Sequence, residues 1–432
     1  MCRQDCLHHA LAMISEDEAR KKILETVRPL PSRRLPLSQA LGCFAAEDYF
    51  AWLPLPAFDN SAMDGYAVVA SSCAKGKRLR VTAEQPAGRD KQLCVSPGEA
   101  VRIFTGAPMP QGADAIVMQE DVMRDGDEIV VNTDVEAGEF VRRRGCDLSE
   151  GQKILAKGER LRAATIALLA SQGIGNVNVG GEVNAAIIST GDELVKPGEK
   201  PDPGQIYESN SALLRALLHR CGAAVNLAEH CRDERESLSK AIKRGMKNHI
   251  LIISGGVSVG EHDLVKDILR EVGAEIEIWR VAIKPGKPFL FGRMEQSGPS
   301  PQSSPWQGEA DAAAPGEGGM ADGDYCFIFG LPGNPVSAFV TFLQLVRPAI
   351  LKMMGATNLN LPEVLAKLAV DLTNEGDRAH YIRGKLEHGK FSPVGRQESH
   401  ALFGLSQSNA LLRLDLGQSL RADEIVDVQI WD

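Results

Sequence analysis

Four short segments in the second half of the chain carry glycine, proline, lysine and acidic residues in patterns suited to binding a phosphate. In chain order they read STGDE (189–193), SGGVSVGEHD (254–263), KPGKP (284–288) and LPGNPVS (331–337). Glycines let backbone N–H groups approach a ligand closely, and a following helix adds the positive end of its dipole. Lysines supply charge for an anion, and acidic residues beside a phosphate can hold a divalent cation. The segments therefore predict a site for a phosphate-containing ligand.

Each of these features also has a purely structural explanation. A glycine-rich turn before a helix is often only a tight turn, an acidic residue at a helix start is more often a cap than a metal ligand, and paired lysines are usually solvated. The functional interpretation is favoured because all four segments are expected at one edge of one sheet, where parallel α/β sheets bind ligands. The residues expected to contribute are Asp192, Glu193, Gly255, Gly256, Gly260, Asp263, Lys284, Lys287 and Pro335.

The elements that must position these segments follow from the hydrophobic pattern. From about residue 181 to 353, apolar strands such as VNAAIIS and HILIIS alternate with helices. The helices are predicted at about 209–221, 233–247, 263–272 and 335–353. Alternation of this kind, with strands that are apolar throughout, predicts a doubly wound and mostly parallel sheet.

The remainder of the chain is β-rich in its pattern. A capped helix is expected at 15–28, and another near 162–172 interrupts short β-prone runs that are separated by glycine and proline. The last seventy residues read as strands of a small β-barrel or sandwich. The predicted fold class is thus multidomain α/β plus β. The predicted domains are an N-terminal elongated domain (1–50 with 148–180), an inserted β-rich domain (51–147), the α/β domain (181–355) and a C-terminal β-barrel domain (356–432).

Composition narrows the functional class. A chain of 432 residues exceeds what one hydrophobic core usually serves, which agrees with several domains. Its net charge of −9 argues against a nucleic-acid partner. Nine cysteines without a CxxC pair argue against a disulfide framework. Neither a signal-peptide pattern nor a run of about twenty apolar residues is present, so we expect no membrane span and a cytoplasmic location.

Two segments are expected to lie outside the folded domains. Residues 294–324 are rich in proline, glycine, serine, alanine and acids without a hydrophobic period, which predicts a disordered loop. The apolar runs on either side, FLFG and YCFIFG, can pair as a hairpin. Near the N-terminus, Cys2, Cys6, His8 and His9 lack a second ligand pair at zinc-finger spacing, so a frayed terminus is favoured over a metal site.

The motifs also resemble a known family. STGDEL, SGGVSVGEHD, KPGKP and LPGNPVS are similar, in this order, to the molybdopterin-binding domain that several molybdenum-cofactor proteins share. Motifs in the N-terminal half show which of these proteins the chain resembles. LPAFDNSAMDGYAV (55–68), RIFTGAPMP (102–110), GADA (112–115) and RRRGCD (142–147) resemble molybdotransferases of the MoeA and gephyrin E-domain type. The resemblance covers nearly the whole chain, except the extreme N-terminus and the 294–324 insert.

This resemblance implies a reaction. The substrates are molybdate and adenylylated molybdopterin, and the products are AMP and the metallated cofactor, with Mg²⁺ as the divalent cation. It also implies a homodimer whose active cleft lies at the subunit interface. An adenylyltransferase upstream and molybdoenzyme apoproteins downstream are the implied partners.

The resemblance assigns roles to individual acidic residues. Glu193, Asp233 and Asp263 match the family's acids around the AMP and metal site, with Glu193 and Asp263 as the magnesium ligands. Further substrate contacts are expected from the loops that carry the four motifs. They are Gly255, Gly256, Ser258, Pro332 and Pro335.

A second group of residues matches the family's pocket for the molybdate oxyanion. Lys284, Lys287 and Ser337 line it, and Arg383 and Ser399 of the last domain close on it. The residues alone leave other interpretations open for the last two. Arg383 could be a charge at a sheet edge, and Ser399 an ordinary loop residue.

The N-terminal motifs supply a third group. Asp59, Thr105 and Asp147 would have to reach the cleft from the neighbouring subunit. Aspartates often cap turns, and this interpretation stays open for Asp59 and is favoured for Asp64.

Three functions besides the transferase are compatible with part of the sequence. A molybdopterin adenylyltransferase uses the same α/β domain, but it usually needs that domain alone. A nucleotide pyrophosphatase can also be built on this domain. The third function is that of a non-catalytic scaffold that binds molybdate or pterin. The presence of all the acids and lysines that a reaction needs argues against the scaffold.

Overall fold

The computed structural model describes residues 13–256, 264–296 and 325–431. The N-terminal Cys and His residues, most of the predicted disordered insert, and Ser258 and Asp263 therefore lie outside the described residues. The chain divides into two compact units. The smaller consists of Asp48–Ala156 and Ala163–Gly175, and the larger of the described residues in 1–47, 157–162 and 176–432. The four predicted domain boundaries stay a prediction.

The larger unit begins with the predicted N-terminal helix. Strand β1 (Ile14–Ser15) leads into helix α1 (Glu16–Thr26), and β2 (Arg33–Pro36) and a 3₁₀ turn (Leu37–Gln39) follow. The Ser15 hydroxyl accepts a hydrogen bond from the Glu18 N–H at 3.2 Å, and the Glu18 carboxylate accepts one from the Ser15 N–H at 3.0 Å. This reciprocal capping satisfies donors that a helix start otherwise leaves unpaired.

The smaller unit is β-rich, as predicted. Its main sheet has six strands in the order β8-β5-β7-β6-β10-β9. One helix, α2, lies where a helix was expected at 162–172. The elements are β3 (Tyr49–Phe50), β4 (Asn60–Ser61), β5 (Gly65–Val68), β6 (Arg78–Gln85), β7 (Glu99–Ile103), β8 (Ala115–Met118), β9 (Val122–Asp125), β10 (Glu128–Val131), β11 (Val141–Arg142), β12 (Lys153–Leu155) and α2 (Ala163–Ser171), with 3₁₀ turns at Ala70–Ser72 and Gln119–Asp121.

The central part of the larger unit contains the predicted α/β sheet. Its elements in chain order are β13 (Asn176–Val179), β14 (Asn184–Thr190), β15 (Leu194–Val195), β16 (Ile206–Tyr207), α3 (Asn210–Cys221), β17 (Ala224–Cys231), α4 (Arg235–Gly245), β18 (Ile250–Ser254), α5 (Leu264–Glu271), β19 (Glu275–Lys284), β20 (Pro288–Glu295), β21 (Tyr325–Leu331) and α6 (Pro335–Met353). Helix α6 consists of α-helical ends, Pro335–Thr341 and Arg347–Met353, and a π-helical middle, Phe342–Val346.

The order of the strands is β17-β14-β18-β21-β20-β19. Neighbours are parallel from β17 to β21, whereas β20 is antiparallel to both of its neighbours. A mostly parallel sheet is thus confirmed, and so is the predicted hairpin, which β20 and β21 form. Strand β20 extends to Glu295, so the predicted insert begins later than residue 294. Apolar cores cover both faces of the sheet, which explains strands that are apolar throughout.

The C-terminal part is a small closed barrel, as predicted. Its elements are β22 (Glu363–Leu368), β23 (Leu372–Thr373), β24 (Ala379–Glu387), β25 (Lys390–Pro393), α7 (Leu402–Ser406), β26 (Ala410–Leu414), β27 (Ser419–Leu420) and β28 (Ile425–Ile430). Strands β24, β25, β22, β28 and β26 follow one another, and β26 pairs again with β24. Strand β24 also pairs with β19, which joins the barrel to the α/β sheet.

Helix α6 is the one helix of the described residues that is long and apolar enough to cross a membrane. However, 89% of its most apolar stretch is buried inside the protein. Its apolar side chains pack in the larger core of the α/β sheet. A core helix explains both its length and its composition.

Candidate functional site

A cavity of about 620 Å³ opens where the parallel strands of the larger unit end. Its walls include residues of strands β14, β16 and β18 and of the loops that follow β14, β17, β18 and β21. The predicted residues that line it are Glu193, Asp233, Gly255, Gly256, Pro332 and Pro335. The sequence motifs thus converge at the carboxyl edge of the sheet, as the fold requires.

The acidic residues of the cavity are linked to the ends of two adjacent strands. The Thr190 hydroxyl, at the end of β14, donates a hydrogen bond to the Asp233 carboxylate. The Asp192 carboxylate accepts one from the Asp233 N–H at 3.2 Å. Glu193 is exposed, and its carboxylate folds over Gly191, where a Cβ atom would lie 2.8 Å from the nearer oxygen. Carboxylate oxygens therefore face the cavity from two loops.

Glycine is required at the start of the second motif. Gly255 has a φ of +87°, and a Cβ atom there would lie 2.4 Å from the carbonyl oxygen of Thr190. The Gly255 N–H donates to the Leu331 carbonyl at 3.2 Å. This donor therefore joins two strand ends in the structure, and close packing of the loop is the reason for the glycine. Gly256, with a φ of +64°, is similarly crowded.

Asn210 lines the cavity although it lies outside the four sequence motifs. It opens helix α3 and is only 7% exposed. Its side-chain amide donates to the Ser254 hydroxyl at 2.8 Å and to the Gly333 carbonyl at 2.7 Å. The residue thereby ties two of the motif loops to the start of a helix. An asparagine directly before an apolar helical run was a signal for it, because this position commonly has a polar structural role.

The fourth motif begins helix α6 and meets a loop of the barrel. Pro335 occupies the first turn, where its missing N–H costs little. The Asn334 amide donates to the Ser399 hydroxyl at 3.0 Å, and the Val336 N–H donates to the Ser399 carbonyl at 3.2 Å. Ser399 therefore fixes the barrel loop against the helix start. Ser337 is buried and does not line the cavity.

The KPGKP turn lies at the junction of the sheet and the barrel. Lys284 is the register partner of His380, and Gly286 packs so closely against α6 that a Cβ atom would lie 2.4 Å from Thr341 Cγ2. Burial, followed by the charges of Lys284 and Arg383, lowers the pKa of His380 to about 4. Positive charge is thus concentrated at this junction. Lys284 and Lys287 are not among the residues that line the cavity.

Arg383 is buried, with 1% of its surface exposed. Its guanidinium donates to the carbonyls of Arg396 and, at 3.2 Å, Glu398. Its strand, β24, is paired on both sides, so the residue is not a charge at a sheet edge. In this structure Arg383 supports the loop that carries Ser399, and its contact with molybdate stays a prediction.

In the smaller unit, aspartates hold the N-terminal motifs together. The Asp59 carboxylate accepts hydrogen bonds from the Arg144 N–H and from the Arg143 guanidinium, both at 2.7 Å. These two contacts, the first more strongly, lower the pKa of Asp59. The Asp64 carboxylate accepts from the N–H and the hydroxyl of Thr105, at 2.7 and 2.8 Å.

These contacts agree with the turn-capping interpretation for both aspartates. The Thr105 hydroxyl is engaged by Asp64, which gives it a structural role in the turn. Asp147 is exposed, and its N–H donates to the Leu55 carbonyl at 3.0 Å. Participation of Asp59, Thr105 and Asp147 in a cleft stays a prediction.

Further cavity residues come from segments to which the sequence analysis assigned no role. Tyr207 and Glu208 precede helix α3, His400 lies in the barrel loop, and Leu402 begins helix α7. His400 directly follows Ser399, which was the available signal. None of these residues has a motif of its own, so only the folded chain brings them to the cavity.

Three family models match the chain in succession. The MoeA N-terminal region (domains I and II) matches residues 14–173, and the probable molybdopterin binding domain matches 186–352. The MoeA C-terminal region (domain IV) matches 365–431. The order of these regions agrees with the smaller unit, the α/β sheet and the barrel.

Individual relatives match over most of their length. The molybdopterin molybdenumtransferase of Haemophilus influenzae is 35% identical over 96% of this chain and 98% of its own. The Nostoc protein of the same name is 35% identical over 96% of this chain and 92% of its own. A crystal structure of the molybdopterin biosynthesis MoeA protein from Pyrococcus horikoshii is 29% identical and has a TM-score of 0.75, covering 97% of this chain and 100% of that one. The chain therefore belongs to the MoeA family.

Proposed function

We propose that this protein is a molybdopterin molybdenumtransferase of molybdenum cofactor biosynthesis. It takes molybdate and adenylylated molybdopterin as substrates and releases AMP and the metallated cofactor. The observation that carries this proposal is the 35% identity, over 98% of its length, to a relative of that name.

The cavity supports a large anionic substrate. Its volume of about 620 Å³ is within the usual range for small-molecule sites. The start of α6 lies at its wall, and helix starts favour phosphate groups. The tightly packed glycine turns keep the strand ends open to a ligand instead of covering them with side chains. The site therefore suits a phosphate-linked nucleotide and pterin.

We also propose that the reaction depends on Mg²⁺. This cation is usually held by one or two carboxylates together with substrate phosphates, and Glu193 offers such an oxygen in the cavity. The described residues contain no group of three acids, histidines or cysteines that could hold a metal by themselves. The family resemblance gives Asp263, which lies outside the described residues, as the second protein ligand. Bound there, the ion would withdraw charge from the phosphoanhydride.

A homodimer with a shared cleft is our proposal for the assembly. It would bring Asp59, Thr105 and Asp147 of one subunit to the cavity of the other, as the family resemblance implies. Mixing the inactive Asp147→Ala protein with inactive Asp233→Ala protein tests it. Restored turnover after subunit exchange is expected, whereas mixtures without activity would contradict a shared cleft. A cytoplasmic location, an upstream adenylyltransferase and downstream molybdoenzyme apoproteins complete the proposal.

One assay tests the proposed reaction. The purified protein is incubated with adenylylated molybdopterin, molybdate and Mg²⁺, and AMP release is followed. We expect release that requires molybdate and is abolished by chelation of Mg²⁺. An adenylyltransferase would instead form the adenylylated substrate from ATP and molybdopterin with release of pyrophosphate, and a scaffold would release nothing. The MoeA regions on both sides of the α/β domain favour the transferase.

A further inference from the structure

The charges around the cavity are unbalanced for an anionic substrate. Three carboxylates line it, those of Glu193, Glu208 and Asp233. Among the lining residues that the structure describes, His400 is the only side chain able to carry a positive charge. Besides the proposed Mg²⁺, His400 is therefore the described side chain of the cavity that can donate a charge-assisted hydrogen bond, the stronger kind, to a phosphoanhydride.

The loop that carries His400, residues 395–404, is held rigidly at its base. The carbonyls that Arg383 binds belong to it, as described above. The Gln397 amide accepts from the Arg383 N–H at 2.9 Å and donates to the Arg383 carbonyl at 3.0 Å. The two ends of the loop lie against each other: a Cβ atom on Gly395 would be only 3.2 Å from Gly404 Cα. Such a loop positions a side chain with little loss of entropy on ligand binding.

The tip of the same loop is fastened beside the start of helix α6. Ser399 receives hydrogen bonds from Asn334 and from the Val336 N–H. The next residue, His400, is exposed and lines the cavity, and its carbonyl accepts from the Leu402 N–H at 2.8 Å. His400 therefore lines the same cavity as Asn334 and Pro335 at the start of α6, where backbone N–H groups favour a phosphate.

We propose that His400 binds the phosphoanhydride of the substrate through a charge-assisted hydrogen bond that its imidazole donates. This inference rests on the proposed transferase function. It gives the 395–404 loop a binding role, with Arg383 and Ser399 as the residues that position it. Two groups of the site would then attract the phosphates: the start of helix α6 and the imidazole of His400 from the barrel.

Three variants of the full-length protein test the assignment. His400→Gln keeps a donor without charge, His400→Arg keeps the charge, and His388→Asn alters an exposed histidine of a β-turn outside the cavity. The first readout is the Kd for ADP, which contains a phosphoanhydride, measured by calorimetry with Mg²⁺. The second is the KM and kcat for AMP release.

For His400→Gln we expect a Kd and a KM raised about tenfold, with an unchanged melting temperature. His400→Arg keeps a charged donor and should bind within about twofold of the parent protein, and His388→Asn should match the parent. Unchanged ADP binding in His400→Gln would overturn the inference, and so would a loss that His400→Arg does not restore. If the parent protein binds ADP through His400 but releases no AMP, the proposed reaction fails and the binding role stands.

Discussion

Replacing Arg383 with methionine distinguishes a loop support from a direct molybdate ligand. The guanidinium binds two carbonyls of the 395–404 loop and is 1% exposed. Each buried carbonyl left without a partner costs about 1–3 kcal/mol. Methionine fills most of the volume and removes a desolvated charge, which offsets part of that cost. We expect a net loss of about 2 kcal/mol in the stability of the barrel.

The functional consequence follows from the position of the loop. Without the hydrogen bonds from Arg383, the loop no longer keeps Ser399 in contact with the start of α6. The cavity then loses the wall that the loop forms. AMP release by Arg383→Met should therefore fall, and excess molybdate should not restore it. The measurements are thermal and urea unfolding together with a molybdate titration at fixed adenylylated substrate.

A matched control is Arg421→Met, which changes an exposed arginine of the same barrel. It should leave both stability and turnover unchanged. If Arg383→Met instead keeps its stability and regains full turnover at high molybdate, the arginine is a direct oxyanion ligand and the loop-support reasoning is wrong.

Three further predictions concern the glycine turn, a buried acid and the insert. Gly255→Ala should lower stability and ADP binding, because the new Cβ atom would lie 2.4 Å from a carbonyl oxygen. The control is Gly273→Ala: Gly273 has a similar positive φ, but its new Cβ atom would meet nothing within 4 Å, so this variant measures the backbone strain alone. Burial raises the pKa of Glu16 above its ordinary 4.5, so its ionisation weakens folding as pH rises. Glu16→Gln keeps an acceptor for the Tyr381 hydroxyl. In urea unfolding, this variant should be at least as stable as the parent protein at pH 8 and equal to it at pH 4. A loss of stability only at pH 8 would contradict this expectation. Deleting 297–322 should leave the melting temperature and turnover unchanged, since β20 and β21 already pair up to the deletion, and a loss of either would show that the insert contributes to the fold.

The cavity lies at the edge of the sheet that the sequence predicted. All-apolar strands and capped helices are local signals, and they sufficed to predict the α/β sheet, the β20–β21 hairpin and the C-terminal barrel. The motifs and their order along the chain sufficed to identify the family. Because the carboxyl ends of parallel strands share one edge, Glu193 and Gly255 could be assigned to one cavity from the sequence pattern, whereas Asp233 was assigned by the family resemblance.

The tertiary structure decided what each side chain does there. The sequence could not show that Arg383 is buried and binds carbonyls of its own domain, because such contacts join residues of a strand to a later loop. The same holds for Asn210, which ties two motif loops together, and for His400, which reaches the cavity only because the barrel packs against the start of α6. Local pattern determines which elements form, whereas the partners of a polar side chain depend on which distant backbone groups the fold brings within hydrogen-bonding distance.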